Sequence, residues 1–372
     1  MTQYPLENDR VRLGVSEQGG FLDPVTFQTA RADVSPMHRA PWLNEPLEHD
    51  LPPMLKGLRG DFFCAPFGDS DLTPEESRPH GLTANGVWHN TLNNSQKLEF
   101  TLEGKVLGAT VTKRIHLNPG EAVVYQEHLF SGGAGHLPLG HHAMLRAEGK
   151  LELGFSRWVW GGTPKNAVES DPQRGHSSLR YPQAFASLSR VALDTGEFAD
   201  LTHFPTLEGS EDLLMLVADS TLPFAWTAAT NRAENWVWFS LKDPRVLPST
   251  VLWLSNGGRF YPPFSSRHAR VLGLEEVCAN FHLGHRASNE SNLLSERGIQ
   301  TVLERRPDHK LLVRYAFGLV EVPQGFGQVV DVRAVSGGIT LEDSLGLQVF
   351  APCDSSFVTF QPDGVLTSAG ST

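Results

Sequence analysis

The chain has 372 residues, 40% of them hydrophobic and 20% charged, and its 31 Lys and Arg against 42 Asp and Glu leave a net charge of −11. That length admits two or three domains or one large β-rich unit, with a core that needs no disulfide staple. The acidic balance argues against a nucleic-acid partner, and no apolar run nears the roughly 18 residues of a membrane span.

The polar start, MTQYPLENDR, lacks a signal core, so a cytoplasmic protein is expected. Cys64, Cys278 and Cys353 form no CxxC pair, which argues against a disulfide framework or a zinc ribbon. Residues 33–57 and 68–78 are long and proline-rich and read as surface excursions of the kind that often carry function. Apolar and polar residues then alternate over 97–103, 108–117, 122–130, 235–241 and 250–255. Successive strand side chains point to opposite faces, so this period of two predicts sheets with a buried face. Turn residues punctuate the runs, as in Asn118-Pro119-Gly120 and Ser131-Gly132-Gly133. The helix with most support spans 288–304, where Leu293, Leu294, Ile299 and Leu303 could form an apolar stripe. The expectation is an all-β, mainly antiparallel sandwich larger than an immunoglobulin domain, with few short helices, forming one domain over 1–372.

The sequence has no GxGxxG, GKS/GKT, GxSxG or HExxH motif, which lowers the standing of nucleotide-dependent chemistry, serine hydrolysis and zincin proteolysis. Three other clusters could carry chemistry. The first runs from Arg59-Gly60 through Pro66-Phe67-Gly68 to His80-Gly81 and Trp88. Arg59 and His80 could donate hydrogen bonds to hydroxyls beside an aromatic wall such as Trp88, or be a surface ion-pair residue and a turn residue. The second is Pro138-Leu139-Gly140-His141-His142. Adjacent strand residues face apart, so only one of the two histidines can enter a given site, either as a proton-transfer group or as an ordinary core imidazole. The third places Val271, Gly273 and Glu275 on one face of a strand after Trp253. Burial would raise the Glu275 pKa and a nearby His or Arg would lower it, leaving a usable base. Glu276, on the other face, reads as an edge-strand charge that blocks unwanted pairing. Trp158, Trp160, Trp236, Trp238 and Trp253 lie on strand-like runs and suit a core or a sugar-stacking face.

In this order the clusters resemble the galactose mutarotase-like superfamily, the aldose 1-epimerases and their hexose-6-phosphate 1-epimerase branch. The resemblance rests on Arg59-Gly60, Pro66-Phe67-Gly68, His80-Gly81 through Trp88, Pro138-Leu139-Gly140 with His142, and Glu275, where Glu276 replaces the proline that usually follows. It covers about 59–88, 138–145 and 253–280, and makes the residues after about 285 a C-terminal extension. No Arg follows His80-Gly81 as in the sugar-phosphate branch, and the family's substrate-binding Asp has several candidates, including Asp171 and Asp219. The resemblance implies a mutarotase-like sandwich that interconverts the anomers of a hexose or hexose phosphate by ring opening. Glu275 would be the base, His142 the acid, and Arg59 with His80 would bind substrate, with neither metal nor organic cofactor. The partner implied is a small sugar or sugar phosphate, and the long segments could also make a homodimer contact. A non-catalytic sugar-binding protein on the same fold is the rival reading. A glycoside hydrolase or lyase ranks last, because Glu275 and Glu276 would face apart.

Overall fold

The computed structural model describes residues 2–48, 50–69, 71–72 and 78–359. The alternating runs form strands as expected, among them Lys97–Leu102, Thr110–His116, Val123–Ser131, Trp236–Lys242 and Ser249–Ser255. Most enter two large antiparallel sheets.

The eight-stranded sheet runs Ala184–Phe185, Trp158–Gly162, Glu211–Ala218, Ser249–Ser255 and Val271–Cys278. Leu139–His141 and Ala143–Arg146 both pair with that last strand, and Phe63–Cys64 forms the far edge. In the nine-stranded sheet, Leu311–Glu321 lies between Trp236–Lys242 and Val123–Ser131. The residues after 285 are therefore only partly an extension. Leu311–Glu321 is a central strand of the sandwich, and a separate three-stranded sheet of Val329–Val335, Gly338–Asp343 and Gln348–Pro352 follows it.

Three apolar layers explain why so many strands are buried on both faces. Leu252, Leu254, Leu272 and Leu274 from one sheet meet Leu153, Trp238 and Phe317 from the other in the central core. The outer face of the nine-stranded sheet, including Val237, Phe239 and Leu241, is covered by Val332, Ile339 and Leu341 of the C-terminal sheet. The outer face of the eight-stranded sheet, with Met215, Val251, Trp253 and Val271, is roofed by Trp42, Leu58 and Phe264 from loops and Met54 from the short helix Pro53–Lys56. Removing apolar surface from water is the main favourable term in each layer.

The 288–304 helix does not form. The chain has a short helix over Gly284–Asn289, a 3-10 turn over Ser295–Arg297 and a strand over Leu303–Arg305. Asn292 Oδ1 accepts from the Leu294 and Ser295 amides, and Gly298 adopts φ +74°, so local turn chemistry overrides the apolar stripe.

Glu276 is not an edge charge. It lies inside the sandwich, ion-paired with Lys242, and accepts hydrogen bonds from Thr227 Oγ1 (2.7 Å), Ser240 Oγ (2.9 Å) and Thr250 Oγ1 (2.7 Å). A buried charge deprived of its partner is strongly destabilising. Lys242→Met is therefore expected to lower unfolding free energy by about 3–5 kcal/mol in chemical denaturation, and Lys242→Met with Glu276→Gln to recover most of that loss.

Candidate active site

Register builds the site. Leu139 pairs with Cys278, Gly140 with Val277, Ala143 with Leu274 and Met144 with Gly273. The same register carried across the interval sets His142 opposite Glu275 and His141 opposite Glu276. On the other side His141 pairs with Phe63, which sets Phe62 beside His142. The pleat sends the odd and even positions apart.

His142 faces outward. Its backbone amide donates to Phe62 O (2.9 Å), its ring stacks on Phe62 with centroids 4.6 Å apart, and Nε2 lies 3.3 Å from Glu275 Oε1. His141 faces the sandwich interior, with Nδ1 3.5 Å from Asp61 Oδ2 and its ring stacked on Tyr315. Of the two adjacent histidines, His142 reaches Glu275.

The pair opens into a cavity of about 310 Å³, lined also by His80, Asp69, His282, Trp253, Arg259 and Tyr261. That volume falls at the lower end of small-molecule sites, roughly 300–1,000 Å³. The excursion 33–57 contributes Pro52, Met54 and Leu55 to the wall. Of the excursion 68–78, residues 70 and 73–77 lie outside the described residues.

His80 owes its position to the following glycine. Gly81 has φ +70°, and a Cβ there would sit 2.1 Å from Ala65 O, so no side chain fits. His80 itself takes the left-handed conformation (φ 62°), which is uncommon for a non-glycine residue. The turn sets its ring edge-to-face against His142, with centroids 5.1 Å apart.

Arg59 lies elsewhere. It does not line the cavity; its Nε is 3.3 Å from Asp23 Oδ2, its Nη1 donates to Gly57 O, and its guanidinium is 5.3 Å from the Phe21 ring centroid. Trp88 is also absent from the wall and donates its indole N–H to Thr83 O in the central core. Asp219 pairs with Arg157, and Asp171 caps a turn at Gln173, so neither candidate acid enters the cavity.

The arginine that does line it is Arg259, at the end of the run that begins with Trp253. Its Nε lies 3.2 Å from Glu169 Oε1 and 3.4 Å from Glu211 Oε1. Glu211 is fully buried and also accepts from Trp253 Nε1 (2.5 Å) and Ser255 Oγ (2.8 Å), which fixes the indole in the wall. Sequence reasoning did not assign Arg259, Glu211, Asp69 or His282. Their parity along a strand or turn carries no sign of partners so remote in the chain.

Burial dominates the electrostatics. It holds the His142 pKa well below the ordinary imidazole value, with His80 adding to the effect, and pushes Glu275 well above the ordinary carboxyl value against the pull of Arg259. Neither charge is tolerated alone. Both shifts favour the uncharged forms, a neutral imidazole beside a protonated carboxyl. Burial lowers His80 to about 3 and also lowers His282, so these rings are uncharged near neutrality.

Gly273 leaves the space that the pair needs. A Cβ there would lie 2.8 Å from Trp253 Cβ and 2.9 Å from Glu275 Oε1. Gly273→Ala is expected to cost about 1–3 kcal/mol by overpacking. Denaturant titration measures that loss, and displaced His142 ring resonances in NMR would report the carboxyl moving away.

No protein-family model and no curated protein matches the sequence. Solved structures do match in fold. A galactose mutarotase related enzyme from Lactobacillus acidophilus aligns with TM-score 0.52 at 12% identity, over 87% of this chain and 100% of its own. A proposed aldose 1-epimerase from Escherichia coli K12 aligns with TM-score 0.54 at 13% identity, over 86% and 99%. A galactose mutarotase-like protein from Lactobacillus casei aligns with TM-score 0.50 at 12% identity, over 86% and 100%. The topology, the two-sheet core and these alignments together give the chain the galactose mutarotase-like β-sandwich fold.

Proposed function

We propose that the protein is a carbohydrate isomerase that interconverts the α and β anomers of a hexose by acid–base ring opening. The observation that carries this reading is the 3.3 Å approach of His142 Nε2 to Glu275 Oε1 at the floor of a cavity walled by Trp253 and Tyr261. An apolar ring face beside polar groups suits one face of a pyranose and its hydroxyls.

The reaction asks for a proton to leave the C1 hydroxyl and another to reach the ring oxygen. Both oxygens are bonded to C1. An adjacent acceptor and donor that together hold one proton can serve both in a single passage. Passing the pair's proton to Nε2 leaves Glu275 a carboxylate that takes the hydroxyl proton and His142 an imidazolium that delivers its own to the ring oxygen. The C1–ring oxygen bond breaks, the aldehyde turns about C1–C2, and reversal of both transfers closes the ring from either face. The pair ends as it began, so no proton need be exchanged with solvent. His80, uncharged and packed on His142, is assigned to hydroxyl binding, and that role passes from Arg59 to Arg259. Glu276, on the opposite face and bound to Lys242, is no partner for a two-carboxylate hydrolase.

Anomer-resolved NMR of freshly dissolved glucose and galactose tests the proposal. The protein is expected to accelerate equilibration, and Glu275→Gln or His142→Gln to slow kcat by about 10²–10⁴-fold, the usual worth of a positioned proton-transfer group. Sugar binding without acceleration, unchanged in Glu275→Gln, would instead make this a sugar-binding protein.

The pH profile makes a separate test. Activity needs the singly protonated pair, which persists until a second proton binds His142 or the last proton leaves Glu275. Because His142 is lowered and Glu275 raised, the acid limb of kcat should lie below about 6.5 and the alkaline limb above about 4.3, the ordinary values. An acid limb centred on the ordinary imidazole value would show that His142 titrates as an exposed group.

A further inference from the structure

The charge around the cavity bears on which sugars it can take. Among the described residues that line it, Arg259 is the one Lys or Arg. Its Nε end faces Glu169 and Glu211, and its guanidinium lies 4.6 Å from the Phe264 ring centroid. Both carboxylates are themselves held in place. Glu169 accepts from the Tyr261 hydroxyl (2.8 Å), and Glu211 from Trp253 and Ser255. One positive charge thus stands against two fixed carboxylates, and Asp69 adds a third at the exposed mouth. The lining histidines supply no compensating charge. Phosphate or carboxylate recognition requires an arginine fork or a cation free to pair with the ligand, whereas here Glu169 and Glu211 both stand within ion-pair distance of the guanidinium Nε. An anionic ligand entering this enclosed space would lose hydration and meet carboxylates with no unspent positive charge.

We infer that the cavity takes uncharged sugars and rejects sugar phosphates and uronates, and that Glu169 and Glu211 set this specificity by neutralising Arg259. The inference rests on the sugar-binding part of the function proposed above, and it assigns the substrate class which the family resemblance leaves open. Arg259 then acts as a hydrogen-bond donor to hydroxyls rather than as an anion receptor.

Binding is measured on the intact protein by intrinsic tryptophan fluorescence and ligand-observed NMR, with glucose, galactose, their 6-phosphates and glucuronate as probes. The neutral sugars are expected to bind at least about 10-fold more tightly than their phosphates at low salt, with the gap narrowing as salt screens the carboxylates. Glu169→Gln, checked for folding by thermal melting, is expected to narrow the gap by about 5-fold or more by releasing Arg259. Phosphates binding as tightly as the parent sugars in the wild type would overturn the inference, as would no detectable binding of any probe. An unchanged gap in Glu169→Gln would remove the assigned cause. Preference for neutral sugars without anomer acceleration would leave this inference standing while removing the isomerase reading. Equal acceleration of neutral and phosphorylated sugars would do the reverse.

Discussion

The pairing of Leu139–His141 and Ala143–Arg146, the strands on either side of His142, with Val271–Cys278 is the constraint from which the site follows. A single antiparallel register sets two imidazole–carboxyl couples side by side, and the pleat turns them to opposite faces. His142 and Glu275 look outward into a roofed cavity, while His141 and Glu276 look inward to the sandwich. A one-residue slip would exchange these roles and strand both acids. The leucines flanking Glu275, at positions 272 and 274, oppose such a slip because it would move them out of the central core.

The two faces treat an acidic side chain differently because their partners differ. Inward, Glu276 meets a lysine and three hydroxyl donors, so its charge is compensated where water is absent. Outward, Glu275 meets chiefly an imidazole, itself penalised for charging. The low-polarity surroundings raise one pKa and lower the other, driving each group toward its uncharged form. The same two residues on an exposed sheet would sit near their ordinary values, with the carboxyl ionised and the imidazole partly charged near neutrality.

The outer layers make that environment. Both large sheets carry apolar residues on both faces, so each needs a cover in addition to the other sheet. The C-terminal sheet covers one, and the proline-rich excursion and the segment around Phe264 cover the other. The second cover leaves the hollow that holds the pair. The segments that roof the apolar face therefore also bury the His142–Glu275 pair and hold Arg259 against its two carboxylates.

Alternation is a local property, and it determined the strands, their antiparallel character and the face on which Glu275 sits. Adjacent histidines had to diverge for the same reason, but which one entered the site depended on which sheet face acquired the roof. The region 288–304 misled because an apolar stripe is blind to the Asn292 cap and the positive φ of Gly298. Arg59 misled because its partner, Asp23, lies on the strand Leu22–Gln28 of a separate four-stranded sheet, and a sequence window shows a charge without showing what neutralises it. Arg259, Glu211 and Glu169 gain their roles from one another across long stretches of chain. Only the tertiary structure decided those contacts and the proton balance of the central pair, because burial and ionic pairing depend on everything that surrounds a side chain, whereas strand periodicity depends only on its neighbours in sequence.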